Sequence, residues 1–579
     1  MILCRMKICG VKCLQKTQEN RRNMDWKKIG LLGAIGIVTW QLMIEWNQFS
    51  ENGPQYALKA PISDGNPVAV NEEQRAELPS DLPAAPRTSS SVYEKTQTAE
   101  DTVSVRTDVL EMTIDLHGGD IIDVRLLEHL TKMPEKGGQP IQLLERSNES
   151  LYIATSGLIG RDGTDSKETG RPVFQAAQRS FDLAGEDVLE VDLLLELEGV
   201  KIVKQFSFQR GNYNVGLTYS VRNNRSKDWE ARFFGQIKRD SKPPPELTSV
   251  FGQTPFLGAA LREPEKNFAK YGFNEIREAS ISTELEGGWL AFLQHYYVAA
   301  WIPPADQKNR YDLKQSGAQD DMYLLSVIGA PFLVPSGETG RYAAQFYVGP
   351  KDQVRLNALA EHLELVVDYG FFWIICQPIY HTMVAVYDVV GNWGWAIIVL
   401  TLLIKVLLFP LSAKGLKSMA RMRRLQPEME RLKELYGEDR QKMGVEQMAL
   451  FKKEKVNPLG GCLPMILQMP IFISFFWVLS ESVEIRHAPW LLWIQDLSAI
   501  DPYFILPLMM GASMYAMQKM QPMPTDPMQA KVMQYMPVAF TFMFMWFPSG
   551  LVLYWTVSNI LQMGQQWVVN RQILAADSQ

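Results

Sequence analysis

Apolar runs long enough to cross a bilayer crowd into one end of this chain, and that distribution constrains its fold more than any other feature. A helix needs about 20 predominantly apolar residues to span the hydrocarbon. Runs of that kind occupy Ile29 to Trp46, Trp393 to Leu411, Cys462 to Leu479, Pro502 to Met517, Met533 to Phe547 and Leu551 to Val569. All but the first lie close together towards the C-terminus. Between the first and the second stretches a long segment of ordinary polarity, so the mean hydropathy of the 579-residue chain is only -0.11. The pattern predicts a polytopic α-helical membrane bundle and a large soluble domain hung between an anchor and that bundle.

Charge gives the orientation. The formal net charge of -6 averages over compartments and says little, but segment 412–457 carries Lys414, Lys417, Arg421, Arg423, Arg424, Arg431, Lys433, Arg440, Lys442, Lys452, Lys453 and Lys455. Loops rich in lysine and arginine stay in the cytoplasm. Lys27 and Lys28 keep the N-terminus there too, so the first run exports the soluble domain and the second returns. Lys519 and Lys531 flank a second cytoplasmic loop, and the last run ends inside near Arg571. Phe371 to Val390 is also apolar, yet a crossing there would put the lysine-rich loop outside. With Pro378, His381 and Asp388 in it, the stretch reads either as a helix in the outer interface or as an elbow packed on the bundle.

The expected organisation is a cytoplasmic N-terminus (1–28), an anchor (29–46), a linker (47–103), an exported β domain (104–360), an interfacial helix (371–390) and a five-span core (392–570) with a cytoplasmic helical hairpin at 412–457. The first run lacks a small-x-small cleavage site, so it reads as an uncleaved anchor. MDWKKIG from Met24 looks like a natural start, and Cys4, Cys9 and Cys13, upstream of it, match no zinc spacing. Cys376 and Cys462 both fall at the membrane, which leaves the exported domain without a disulfide.

Residues 51–101 are rich in Pro, Ser, Ala, Glu and Gln, the composition of a flexible tether. After them VSVRTDVLEMTID, DIIDVRLLEHL, DVLEVDLLLELEG, VKIVKQFSFQR and YNVGLTYSVRN alternate with period two between Gly, Asn and Asp turns, as strands of an antiparallel sandwich do. His117, His129, His295 and His362 have no metal-ligand spacing. The aromatic-rich stretch 287–304 suits sheet core or a contact surface. The sequence has no phosphate-binding GxxxxGK[ST] loop, no metal cluster and no nucleophile motif, so neither a cofactor nor a catalytic group is expected, nor sequence-specific nucleic-acid binding. A secondary transporter would show internal repeats or paired broken helices, and a carbohydrate-active enzyme would need an acid–base pair in the β domain. Neither is found.

Candidate functional residues lie in the bundle. Lys405 sits inside WGWAIIVLTLLIKVLLFPL, and a lysine near a bilayer centre costs about 2.5 to 3.5 kcal/mol on insertion scales. Either its stem snorkels to the nearer interface, or the charge faces a wet pathway. Thr401 at i-4 and Ser412 at i+7 favour the pathway. Gln468 interrupts the third run, and Tyr554, Ser558, Gln562 and Gln565 fall on one face of the last. Together they read as one cavity lining or as separate interhelical hydrogen bonds. In the hairpin, Met422, Leu425, Met429, Leu432 and Tyr436 form an amphipathic stripe that Gly437 ends, and Val445, Met448 and Phe451 form a weaker one. Such methionines suit a surface that repacks against clients, or the stripe is the hairpin's own core.

MALFKKEKVNPLGGCLPMILQMPIFISFFWVL, WIQDLSAIDPYFILPLMMGASMYAMQKM, TDPMQ and FPSGLVLYWTVSN closely resemble the YidC membrane protein insertases of Gram-negative bacteria, relatives of the mitochondrial Oxa and thylakoid Alb proteins. RTDVLEMTIDLHGGD and YVGP extend the likeness into the exported domain. The resemblance implies a periplasmic β-supersandwich of the galactose-mutarotase type and a core in the bacterial inner membrane. It also implies a hydrophilic groove, open to cytoplasm and lipid and closed on the far side, with a positive residue at the place of Lys405. Arginine is commoner there, and Trp555 stands where tyrosine is frequent. Implied partners are nascent membrane proteins, the Sec translocon, ribosomes and the lipid bilayer.

Overall fold

The computed structural model describes residues 101–577 apart from 167–169, 245–254, 318–319, 437–438, 455, 457–462 and 522–526. The anchor, the linker as far as residue 100, Met24, Gly437 and four of the five cysteines lie outside the described residues, and the first strand, Thr102–Arg106, begins inside the expected linker.

Alternation in the sequence becomes two large sheets. Strand Val200–Gln209 buries Val200, Ile202, Lys204, Phe206 and Phe208 and turns the residues between them outwards. Repeated across its neighbours, this pattern builds a nine-stranded sheet facing a ten-stranded one, antiparallel but for one parallel pairing of Ser104–Arg106 with Ser180–Asp182. Trp229, Trp289, Trp301, Phe206 and Tyr347 fill the space between them. Gly235 admits Trp301, since a Cβ at that position would stand 2.7 Å from the indole. The one charged side chain on the inward face of Val200–Gln209, Lys204, is fully buried; its ammonium donates to the carbonyls of Gly118 and Gly119, both at 2.8 Å, and of Ser156 at 3.2 Å. Buried ions persist only when bonded in this way. The domain carries two short helices, α1 (Phe273–Glu278) and α2 (Gln353–Leu359).

Helices make up the rest. They are α3 (Trp373–Val390), α4 (Trp393–Leu407), α5 (Phe409–Arg424), α6 (Gln426–Tyr436), α7 (Arg440–Lys453), α8 (Leu463–Glu481), α9 (Ile505–Lys519), α10 (Pro527–Phe544) and α11 (Ser549–Asp577). Gly391, at φ 67°, closes α3, and the Asn392 side chain accepts the Trp395 N–H at 3.1 Å to open α4. Only a glycine takes that left-handed turn without strain.

Two expectations change here. The run Trp393 to Leu411 is not one helix: α4 stops at Leu407 and α5 leaves at 69°, because Pro410 has no N–H with which to continue the ladder. The stripe from Met422 to Tyr436 is likewise divided, with a break at Leu425 between α5 and α6. Among the described residues no single helix is long and apolar enough to cross a membrane, although α4 and α5 pass that test together.

The exported domain is fastened to the link between α8 and α9. Arg486 donates to the carbonyls of Leu130 at 2.6 Å and Thr131 at 3.2 Å and to the Tyr297 hydroxyl at 3.2 Å. His295 Nε2 bonds the Ser480 carbonyl at 3.0 Å, and Val483 is part of the sandwich core. On the helical side, the Tyr380 hydroxyl of α3 donates to Glu484 at 2.7 Å.

Candidate functional site

Lys405 lies near the end of α4, and only 7 % of it is exposed. Its ammonium donates to Gln468 Oε1 of α8 at 3.0 Å and to Gln562 Oε1 of α11 at 3.1 Å. Gln468 Nε2 donates in turn to the Tyr554 hydroxyl and, at 3.2 Å, to Ser558 Oγ. Helical periodicity explains the convergence: Tyr554, Ser558 and Gln562 share one face of α11, and that face meets α4 and α8. Both oxygens bonded to the ammonium among the described residues belong to neutral amides. Among the described residues no carboxylate stands within 4.0 Å of it, so the positive charge is solvated but not neutralised.

Lys405 borders two spaces. One, of about 10 Å³ and on the scale of a single water, lies among Ile404, Leu408, Ser412, Leu467, Gln468 and Gln562. The other, about 230 Å³, is lined by Leu402, Lys405, Val406, Phe409, Leu561 and Gln565. The two glutamines that bond the ammonium line the small space, whereas the larger recess on the other side of Lys405 is mostly apolar, with Leu402 and Val406 exposed.

The remaining expected residues divide. Thr401 is on the same face, but its hydroxyl is buried and donates to the Ile397 carbonyl at 2.6 Å. Trp555 lies outside the polar cluster and packs on Phe472 at 4.4 Å and Phe544 at 4.9 Å between ring centroids. Neighbouring helix positions point about 100° apart, so Tyr554 and Trp555 cannot serve the same cluster. In the hairpin Met429 is buried and Gln447 Nε2 reaches its sulfur at 3.6 Å, whereas Met422 and Leu425 are half-buried and Val445 and Met448 exposed. The sequence reading missed a second polar line on α11: Asn559 Nδ2 donates to Ser513 Oγ at 3.0 Å and Gln566 Nε2 to the Met520 carbonyl at 2.9 Å. Their i, i+7 spacing was the available signal. No group of three or more His, Cys, Asp or Glu among the described residues converges as a metal site would.

Residues 102–382 match the family model described as YidC periplasmic domain, and residues 385–576 match that described as 60Kd inner membrane protein. The membrane protein insertase YidC of Cellvibrio japonicus is 46% identical, covering 96% of this chain and 100% of its own length. That of Azotobacter vinelandii is 44% identical over 95% and 99%. A solved structure of an active YidC insertase with its first transmembrane domain resolved covers 81% of this chain and 92% of its own, at 19% identity and a TM-score of 0.36. The two family matches and the relatives that the chain covers almost end to end make this a multi-pass inner-membrane protein with a periplasmic domain. The chain belongs to the YidC family of membrane protein insertases, which act on membrane proteins without enzymatic chemistry.

Proposed function

We propose that clients enter at the recess beside Lys405, and that its ammonium receives an acidic residue of the polar segment being moved. The observation that carries this reading is the neutral coordination of the charge: Gln468 and Gln562 hold the ammonium in place without cancelling it. Moving a client carboxylate from water into lipid is opposed by desolvation. A partner charge 4 Å away returns about 4 kcal/mol at an effective dielectric near 20. Release follows when the client's apolar segment passes into lipid, a transfer driven by the hydrophobic effect and needing no nucleotide. Exposed Leu402 and Val406 offer such a segment an apolar path out of the recess.

The hairpin supplies the first contact in this scheme. Met422 and Leu425 keep part of their surface free, and the surrounding lysines and arginines suit an approaching ribosome or anionic headgroups. The family resemblance adds the Sec translocon as a partner for larger clients.

Charge reversal tests the site. Lys405→Arg is expected to insert acidic-tailed clients as the parent does. Lys405→Glu, whose carboxylate the two glutamine amides can still bond, is expected to fail with those clients through like-charge repulsion. Equal insertion by the parent and Lys405→Glu in reconstituted vesicles overturns the proposal.

A further inference from the structure

Spans α4 and α9 both end with backbone carbonyls that their own helices leave unsatisfied. Where such a carbonyl is buried it needs a donor from elsewhere in the protein. α4 stops at Leu407, and the carbonyl of Lys405, in its last turn, receives Gln565 Nε2 at 2.9 Å. α9 stops at Lys519, and the carbonyl of Met520, its capping residue, receives Gln566 Nε2 at 2.9 Å and, more distantly, Arg423 Nη1 of α5 at 3.4 Å. Gln565 and Gln566 are consecutive residues of α11, so their side chains diverge by about 100° and reach two different neighbours. Gln566 is 4 % exposed, and Gln565 lines both spaces that Lys405 borders. Close by on α11, Val569 is buried with Leu416 and Met419 of α5, against Phe409, Ala413 and Ile573.

We propose that Gln565 and Gln566 are positioning residues for insertion, adjacent side chains of one span that cap the ends of two others. Gln565 holds the bend between α4 and α5, and through it both Lys405 and the arm that carries the hairpin. Gln566 holds the end of α9. The proposal rests on the reading of Lys405 as the client contact, since Gln565 grips the backbone of that residue: losing the grip displaces the charge without removing it.

The two glutamines are separable by experiment. In the full-length protein in bilayers, with native cysteines replaced by serine, nitroxide labels at Lys417→Cys and Gln572→Cys report the α5 arm. Labels at Lys519→Cys and Gln572→Cys report the end of α9. Methionine keeps the length of glutamine and lacks its donor. Gln565→Met is expected to lengthen or broaden the first distance and leave the second, and Gln566→Met to do the converse. Gln565→Met is also expected to slow insertion of an acidic-tailed client severalfold more than that of a neutral-tailed one. Unchanged distances in both variants overturn the proposal, as do equal shifts of both distances in each, which mean general loosening of the bundle. Lys405→Glu, measured alongside, separates the two readings. A client sensitive to Lys405→Glu and indifferent to Gln565→Met counts against the clamp, whereas indifference to Lys405→Glu counts against the site and leaves the label distances to decide the clamp.

Discussion

His129 stands where the periplasmic domain meets the α8–α9 link, with Tyr213 and Tyr297 at ring-centroid distances of 5.8 and 5.6 Å. Burial, helped by Arg486, Arg355 and His487, lowers its pKa from 6.5 to about 4. Between those values the unfolded chain holds a proton that the folded one does not, so the stability supplied by the neutral imidazole is complete above pH 6.5 and drains away as pH falls towards 4. His129→Phe keeps the ring contacts and removes the proton. Its thermal midpoint is expected to fall less than that of the parent when both are acidified from pH 7 to 4, and matching acid sensitivity would discard this account. Much of the polar cluster around Lys405 was legible at this scale. Lys405, Gln468, Ser558 and Gln562 each broke an apolar run, and periodicity put the last two on one face. Trp555 falls outside that cluster because it is turned about 100° around the helix axis from Tyr554, and the role of Arg486 depends on carbonyls far away in the chain that no local pattern marks.

Among the elements, the hairpin offers the sharpest contrast. Met429 is 5 % exposed while Met422 and Leu425 are half-buried, so the stripe that looked uniform in sequence is unevenly buried. Met429→Ser removes buried apolar volume and is expected to destabilise the hairpin by about 2 kcal/mol, seen as faster proteolysis between α6 and α7. Met422→Ser with Leu425→Ser is expected to leave proteolysis unchanged and slow insertion. Degradation of that double variant would place both residues in the hairpin's interior. Strands were easier to read than helix ends. Period two in VKIVKQFSFQ survives as alternating burial in Val200–Gln209, since one sheet face must be covered. The break after Leu407 was hidden because the run stays apolar through Leu411, and Pro410 alone signalled it.

For the molecule as a whole, the division of labour is testable by deletion. Removing residues 105–350 is expected to preserve most insertion, because Lys405 and its partners all belong to the helical core. The same deletion strips the cover from Val483 and leaves Arg486 without its carbonyl acceptors, so the truncated core is expected to melt at a lower temperature than the intact protein. A truncated core with full stability and no insertion would reverse both statements. The sheet-and-bundle plan was readable from where apolar runs stop and alternation begins, whereas the seam between the two parts arises only from folding. That seam has a bearing on how the protein itself is made. Arg486 and Leu130 are 356 residues apart, and the carbonyls of Leu130 and Thr131 emerge from the ribosome long before the arginine that will hold them. Docking at this seam therefore becomes available only once Arg486 has been made and delivered, however early the β domain folds.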